Sequence, residues 1–458
     1  MKKLLFSFLI LCFSVFSISA PILADDTPIY DSTFNNNAGA FFANGTPITI
    51  TEGTTADTVN IAWDSTSLEI PSTTRIFGGG RAGTVYDNSS VTLNSGTVPF
   101  IYGGGFSTDS NNIATVTNSN VVVNGGNVTQ TLYGGGLLYT TVDTSNITIN
   151  GGTVNSVLAG GAASSVISGE AYSTGTEENP EASGTRVNNG NLIINDGTVT
   201  TSAWGGGQGY SYTGNTNVTV NSGDLSTAYL TAGGSNGYTG NANVKINGGD
   251  IDVYQTTNRG TVETANTTVT GGNVNTFYLG GEPDPTVTGT IENVTTAILS
   301  GTVTNLFPGT TGTLPLETSG DNVTTVIVPG TVTNNNIPSG DTETITYNFT
   351  IIPEEINVFE GLTQQIPYTI TTTPPGYEHL FEDTPITWTS SNPSVATVDE
   401  NGIVTGIAPG TATIIGTFLD QTDTVEVIVT DSGLFYLIWI LLLAFFLLLA
   451  IFSTRRRR

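Results

Sequence analysis

The chain has 458 residues, with 38 acidic against 11 basic side chains, a net charge of −27 at pH 7, one cysteine and one histidine. Such a negative charge disfavours nucleic acid and anionic lipid surfaces as partners. The cysteine, Cys12, lies in an N-terminal segment that we expect to be removed. The mature protein would then have no disulfide, no thiolate metal site and no cysteine nucleophile.

Both ends of the chain predict export to the cell surface. Residues 1–24 have the pattern of a signal peptide: two lysines, an apolar stretch and small residues before a mature chain that begins at Asp25. Residues 434–453 contain a run of 19 uncharged residues, which as a helix about 28 Å long would cross a hydrocarbon core of roughly 30 Å. The tail 454–458 is mostly arginine, and such clusters stay in the cytoplasm. We therefore expect a single-pass cell-membrane protein with residues 25–433 outside and the lipid bilayer as a partner of this helix. A buried core helix is the alternative, disfavoured because the segment has no polar face.

An internal repeat organises the middle of the chain. Its unit is aliphatic-x-aliphatic-Asn-(Gly/Ser)-Gly-x-aliphatic, and nine copies align on one anchor glycine with a typical period of about 26 residues. The anchor glycines are Gly96, Gly126, Gly152, Gly197, Gly223, Gly249, Gly272, Gly301 and Gly330.

Large aliphatic side chains flank every anchor glycine. They stand three residues before it and two residues after it in all nine copies, and five residues before it in the first six. This alternation is typical of a strand with one buried face, and glycine and asparagine suit the turn that follows. We predict an all-β fold with a parallel β-helix over residues 75–340, one coil per repeat, after an N-terminal cap region at residues 25–74. Nine coils at about 4.8 Å each would give a rod of roughly 43 Å.

Asparagine recurs two residues before the anchor glycine in the first six copies. Stacked coils would form a column whose side-chain amides hydrogen-bond from coil to coil and satisfy turn groups that would otherwise face the interior. The alternative is that each asparagine only suits its own turn. The column consists of Asn94, Asn124, Asn150, Asn195, Asn221 and Asn247.

Two further features modify the coil. Glycine clusters such as 103–105 and 134–136 follow a bulky residue once per coil and predict a second corner; a phosphate-binding loop is disfavoured because no helix and lysine follow. The interval from Gly152 to Gly197 is 45 residues, and its excess falls in the polar stretch 164–186. We expect a loop there, which could serve binding or could be a disordered excursion.

Residues 345–430 differ from the repeat and have short alternating strands. They contain a strand with Trp388, a Ser-Asn-Pro turn, Val-Ala-Thr-Val, an Asn-Gly turn, Val-Thr-Gly and Pro-Gly-Thr-Ala. This pattern resembles the bacterial immunoglobulin-like domains of group 2 and covers roughly residues 355–430. The resemblance implies a small β-sandwich with Trp388 in its core, used as an extracellular spacer in adhesins and other surface proteins, and it brings no catalytic residues. The repeats more loosely resemble those of adhesin-like proteins.

The sequence offers little for catalysis or for metal binding. The histidine, His379, lies outside the repeats and is expected in an exposed loop, which leaves no Ser-His-Asp or histidine–metal site in the β-helix. Asp250 and Asp252 are the nearest to a carboxylate pair on one strand face, the arrangement of glycosidases. A weak calcium site at these two residues is a second interpretation, although the calcium-binding Gly-Gly-x-Gly-x-Asp repeat is absent from the sequence. We predict no catalytic, cofactor or metal-binding residue.

The expected function is that of a non-enzymatic cell-surface protein, adhesin-like or structural, which presents a rigid β-helix outside the membrane. Expected partners are glycans or surface proteins of a host or neighbouring cell, with no nucleic acid and no cofactor. The alternative is a membrane-anchored carbohydrate-active β-helix enzyme, a polysaccharide lyase or hydrolase, because many β-helix proteins have such activity.

Overall fold

The computed structural model shows an all-β protein with a β-solenoid followed by Ig-like sheets. Two compact units are distinguished, Met1–Glu343 and Thr344–Arg458. The expected signal peptide, residues 1–24, lies outside the described residues. The structure describes residues 27–167, 170–173, 184–257, 260–280, 290–307, 323–327, 332–335, 342–344, 346–373, 375–376, 378–381, 384–419, 421–431 and 441–447.

An N-terminal region of short strands leads into the first coil. It contains one short helix, α1 (Phe34–Asn37), which the sequence pattern did not predict. An antiparallel meander of three strands, β3 to β5, joins the solenoid because β3 pairs in parallel with the first strand of coil 1. The strands are β1 (Ile29–Asp31), β2 (Ala40–Phe42), β3 (Ile48–Glu52), β4 (Thr58–Trp63), β5 (Thr66–Pro71) and β6 (Arg75–Phe77).

Each coil of the solenoid contributes a first strand before the anchor glycine and a second strand after it. Both sets pair in parallel with the same strand of the next coil. In coils 7 and 8 one long strand runs through both positions, so the degenerate repeats lack a break at the turn. The first strands are β7 (Val85–Leu93), β10 (Ala114–Val123), β13 (Thr140–Ile149), β17 (Thr185–Ile194), β19 (Tyr212–Val220), β21 (Tyr238–Ile246) and β25 (Val323–Ile327). The second strands are β8 (Thr97–Tyr102), β11 (Asn127–Tyr133), β14 (Thr153–Leu158), β18 (Thr198–Trp204), β20 (Asp224–Thr231), β22 (Asp250–Gln255) and β26 (Val332–Asn335); the continuous strands are β23 (Thr261–Tyr278) and β24 (Thr290–Phe307).

The repeated aliphatic residues fill the interior, as their alternation predicts. In coil 3, Ile147, Ile149 and Val154 are at most 1% exposed, and their counterparts in the other coils belong to the same core. The turn between the two strands needs glycine because its φ is positive, from 77° to 109° in the eight anchor glycines that the structure describes. The packing of aliphatic residues and the turn therefore repeat together.

Short strands also occur beside the glycine corner and within the insertion of coil 4. The pair β9 (Phe106–Ser107) and β12 (Leu137–Leu138) lies beyond the glycine clusters, which stack with backbone hydrogen bonds of 3.0 to 3.3 Å. The predicted loop contains an antiparallel hairpin of β15 (Ser164–Ile167) and β16 (Glu170–Ser173). It leaves the coil without disturbing it, because Ile149 still pairs with Ile194 across the 45-residue interval.

The second unit contains sheets typical of an Ig-like fold. One sheet has the strand order β29-β36-β35-β32, a second has β30-β34-β33, and β28 pairs with β31. Ile414, Phe418 and Val425 are fully buried in its core. Strand β27 (Thr342–Thr344) still belongs to the solenoid sheet, where it pairs with β25. The strands of the second unit are β28 (Thr346–Ile351), β29 (Glu355–Phe359), β30 (Thr363–Gln365), β31 (Tyr368–Thr373), β32 (Ile386–Ser390), β33 (Ala396–Val398), β34 (Ile403–Gly406), β35 (Gly410–Phe418) and β36 (Gln421–Thr430).

After residue 431 the structure describes one short segment. Residues 441–447 are helical. Across the residues that the structure describes, no helix has both the length and the apolar character required to cross a membrane. The rest of the expected segment 434–453 and the tail 454–458 lie outside the described residues.

Candidate functional site

The outer surface of the first strands is the most regular surface of the solenoid. We call it the amide face; it comprises four columns of outward side chains in coils 1 to 7. The strand pairs beneath it keep an unbroken register, whereas the second strands shift register between coils. The columns are Asn88, Asn118, Thr144, Asn189, Asn215, Asn241 and Thr264; Ser90, Asn120, Asn146, Asn191, Asn217, Asn243 and Asn266; Thr92, Val122, Thr148, Ile193, Thr219, Lys245 and Thr268; and Asn94, Asn124, Asn150, Asn195, Asn221, Asn247 and Thr270.

The predicted amide ladder is present in the column beside the turn. Each amide nitrogen donates to the amide oxygen of the preceding coil, at 2.8 to 2.9 Å from Asn94 through Asn247. The Thr270 hydroxyl extends the column by donating to Asn247 at 2.7 Å. The side chains of this column are exposed on the outside of the coil, while aliphatic residues fill the interior.

Two further asparagine columns were missed by the sequence reasoning. The column from Asn120 to Asn266 forms a second ladder with five hydrogen bonds of 2.9 to 3.1 Å. The column from Asn88 to Asn241 is bonded in part, with 3.1 Å from Asn215 to Asn189 and 2.9 Å from Asn241 to Asn215. The signal was available, because asparagine also recurs six residues before the anchor glycine in copies two to seven.

Buried hydroxyl groups tie the amide face to the glycine corner. Ser89, Ser119 and Ser145 point inward from consecutive first strands and donate to corner carbonyl groups at 2.6 to 2.9 Å. A serine side chain at this position satisfies a carbonyl that would otherwise be unpaired inside the coil. In these coils the first strands that carry the amide face are therefore hydrogen-bonded to the glycine corner.

A row of aromatic rings is covered by the rest of the solenoid. Phe42, Phe77, Tyr102 and Tyr133 stack with centroid distances of 4.7 to 4.9 Å. The tyrosine rings are at most 4% exposed, and burial raises the pKa of Tyr102 to about 12. Because their faces are covered by one another, these rings contribute to packing and offer no platform for a sugar.

A shallow groove of about 630 Å³ runs along the turns of coils 4 to 7. Its lining contains Asp196, Asp224 and Asp250 but no basic and no aromatic residue. The Ser226 hydroxyl and N–H groups hold the pKa of Asp224 below its usual value, opposite to the raised pKa of a general acid in a glycosidase.

The two aspartates singled out from the sequence are paired with asparagines of the next coil. Asp250 accepts a hydrogen bond from Asn273 at 2.7 Å, and Asp252 accepts one from Asn275 at 3.0 Å. Asp250 lines the groove and Asp252 does not. Among the residues that the structure describes, no group of three or more His, Cys, Asp and Glu side chains could hold a metal ion.

The backbone of His379 belongs to a short 3₁₀ helix, Glu378–Phe381. The structure does not describe the His379 side chain. A hydrogen bond from its own backbone N–H, and then hydrogen bonds from Thr372 and from the Gly376 N–H, lower the pKa of the neighbouring Glu378 carboxylate. This carboxylate therefore secures a turn.

Comparison with known proteins identifies the second unit. Residues 345–429 match the family model of the bacterial Ig-like domain (group 2). The chain thus carries a bacterial Ig-like domain. No curated protein matches the chain. The crystal structure of the S-layer protein SbsC domains 4 and 5 is similar at 19% identity with a TM-score of 0.17, over 19% of this chain and 55% of that chain. The chain thus spans about half of that structure, and a TM-score of this size does not show a shared fold.

Trp388 occupies a different position in the bacterial Ig-like domain from the one expected. It is half-buried on strand β32 and lies against Gly402 and Gly416, where added Cβ atoms would come within 2.9 and 2.8 Å of its ring. Phe418 is fully buried in the core, and the rings of Phe349 and Phe381 pack against it at 5.6 and 5.8 Å. The prediction of a fully buried core tryptophan was therefore wrong, because Trp388 is only half-buried.

Proposed function

We propose that this chain is a non-enzymatic cell-surface protein, adhesin-like or structural, that exposes its β-solenoid outside the membrane. A β-solenoid in one chain with a bacterial Ig-like domain fits a surface structural or adhesin-like role. The observation that carries the proposal is the amide face, an exposed array of bonded side chains over seven coils. Such an array suits adhesion to glycans or to surface proteins of a host or neighbouring cell.

The anchoring part of the proposal rests on the sequence. Residues 1–24 would direct export, and residues 434–453 would hold the chain in the bilayer with the basic tail inside. We expect protease added to intact cells to remove the solenoid, and deletion of residues 434–458 to release the chain into the medium. Protection of the solenoid in intact cells, with cleavage only after lysis, would overturn the surface location.

The non-enzymatic part rests on the residues of the solenoid. Its repeat positions are filled by aliphatic, glycine and asparagine residues that pack, turn and form ladders. The full chain should leave neutral and acidic polysaccharides at their starting length after long incubation. Reducing-end release above the background of a heat-unfolded sample would contradict this.

One observation supports the second candidate, a carbohydrate-active enzyme. The groove along the turns brings Asp224 and Asp250 to neighbouring positions of adjacent coils. If degradation were found, loss of activity in Asp250→Asn with retention in Asp57→Asn, an exposed aspartate outside the groove, would assign it to this groove.

A further inference from the structure

The amide face carries a single charged side chain, although the chain has a net charge of −27. Lys245 is the one charged residue among its four columns, which otherwise hold asparagine, threonine, serine and two aliphatic residues. The acidic residues near it stand outside these columns, as at Asp143 and Glu263. A partner of this face therefore needs polar groups, because the four columns offer only one charged side chain with which it could pair.

The ladders fix the amides and leave them able to bind. In a ladder each asparagine donates one N–H to the preceding coil and accepts one from the following coil, as Asn195 does at 2.9 and 2.8 Å. An amide has two N–H donors and two acceptor lone pairs, so one of each remains directed away from the ladder. Because the ladders already order these side chains, the protein loses little further side-chain entropy when a ligand binds.

We infer that the amide face binds a neutral polysaccharide chain, and this inference rests on the proposed adhesin-like function. Hydroxyl groups of a neutral sugar both donate and accept, which matches the remaining amide groups and the hydroxyls of Thr92, Thr148, Thr219 and Thr268. Coils repeat at about 4.8 Å, so a polymer can make the same weak contact several times.

Other occupants match the face less well. An acidic polysaccharide would be repelled by the negative chain, and two copies of a chain with −27 charge repel one another. A rigid lattice such as ice requires uniform spacing and height, but Val122, Ile193 and Lys245 interrupt the hydroxyl column with different side chains. A flexible polymer can adjust around these residues.

The test uses the full chain in detergent, in native gels that contain neutral glucans or mannans of graded length, or a uronic acid polymer. We expect retardation by the neutral polymers, at least about tenfold tighter binding to long chains than to trisaccharides, and little change between about 0.05 and 0.5 M salt. The uronic acid polymer should not retard the chain.

Variants locate the binding on the amide face. The double variant Thr148→Glu/Thr219→Glu places carboxylates under the bound sugar, where they lack a partner, and should weaken binding at least about tenfold. The matched control Thr66→Glu/Thr129→Glu adds the same charge at exposed positions outside the face and should bind as the unmodified chain does. If the first variant fails to fold by circular dichroism, Thr148→Val/Thr219→Val removes the hydroxyls without charge and should weaken binding several-fold.

Each result decides the inference. Binding that is lost in the face variants and kept in the control supports it. Absence of neutral polysaccharide binding, equal weakening by the control, thermal hysteresis in ice, or self-association lost in the face variants would overturn it. Failure here with a protease-accessible solenoid on cells leaves the surface role standing, whereas cleavage of the polymer by the chain would overturn the proposed function itself.

Discussion

From the ladder beside the turn we predict how much Asn195→Ala lowers the free energy of unfolding. This change removes two amide hydrogen bonds, at 2.9 Å to Asn150 and 2.8 Å from Asn221. A net hydrogen bond contributes about 0.5–1.5 kcal/mol, and exposed partners regain water, so we expect a loss of about 1–2 kcal/mol from the free energy of unfolding. Asn94→Ala, at the end of the ladder, removes one bond and should cost about half as much.

Urea unfolding of the full chain followed by circular dichroism measures both losses, and hydrogen exchange at coils 3 to 5 assigns the transition to the solenoid. The control is Asn127→Ala, whose side-chain amide has no hydrogen bond to any described residue and should cost less than about 0.5 kcal/mol. If Asn195→Ala costs no more than this control, the ladder does not stabilise the solenoid. Equal losses for Asn94→Ala and Asn195→Ala would show that the losses do not follow the number of bonds.

Three other changes test the interior, the turn and the N-terminal region by the same urea assay. Thr213→Val should raise the free energy of unfolding by about 1 kcal/mol, because the buried hydroxyl has no partner among the described residues and Val187 occupies this position in the preceding coil. Gly152→Ala should lower it by about 3 kcal/mol, because φ is +82° and the new Cβ would stand 2.6 Å from a carbonyl oxygen. Hydrogen bonding to Thr33, and then to the guanidinium of Arg81, lowers the pKa of Asp31 from 3.8 to about 2. The Asp31 carboxylate therefore stabilises the folded state above about pH 4, and this contribution is lost as the pH falls towards about 2. Asp31→Asn should therefore cost about 1 kcal/mol at pH 7, after allowance for solvent screening, and little at pH 2.

Matched variants separate these causes from general damage. Thr185→Val removes a buried hydroxyl that does donate a hydrogen bond, to the Leu138 carbonyl, and should destabilise where Thr213→Val stabilises. Gly83→Ala has a similar φ of +76° but no atom within 3.6 Å of the new Cβ, so it should cost only about 1 kcal/mol. If Gly83→Ala lowers the free energy of unfolding as much as Gly152→Ala does, the positive φ alone accounts for both losses. A loss for Asp31→Asn that is equal at pH 7 and pH 2 would exclude the carboxylate as its cause.

The repeat pattern predicted the solenoid because its physical requirements are local. A buried face needs an aliphatic residue at every second position, and a turn with positive φ needs glycine, so Ile147, Ile149 and Gly152 identify strand and turn directly. The side on which the turn asparagines lie was not predicted. The path of the backbone at the turn decides whether these side chains face the interior or the solvent, and the spacing of a single repeat does not determine that path.

Features that depend on distant residues were also missed. The half-buried position of Trp388 depends on Gly402 and Gly416, which reach it only in the folded sheets. The groove at the turns depends on the stacking of Asp224 and Asp250, and each has its own hydrogen-bond partner. The Asn120 column, in contrast, could have been found by aligning residues farther from the anchor glycine.

The unbroken register around the hairpin in coil 4 has a consequence for how this protein can change. Ile149 and Ile194 pair as neighbouring coils do elsewhere, although 45 residues separate the flanking anchor glycines. Doubling the length of a flexible loop adds only about 0.6 kcal/mol of closure entropy. New segments can therefore be inserted at this position, by evolution or by design, while the strands above and below continue to stack as before.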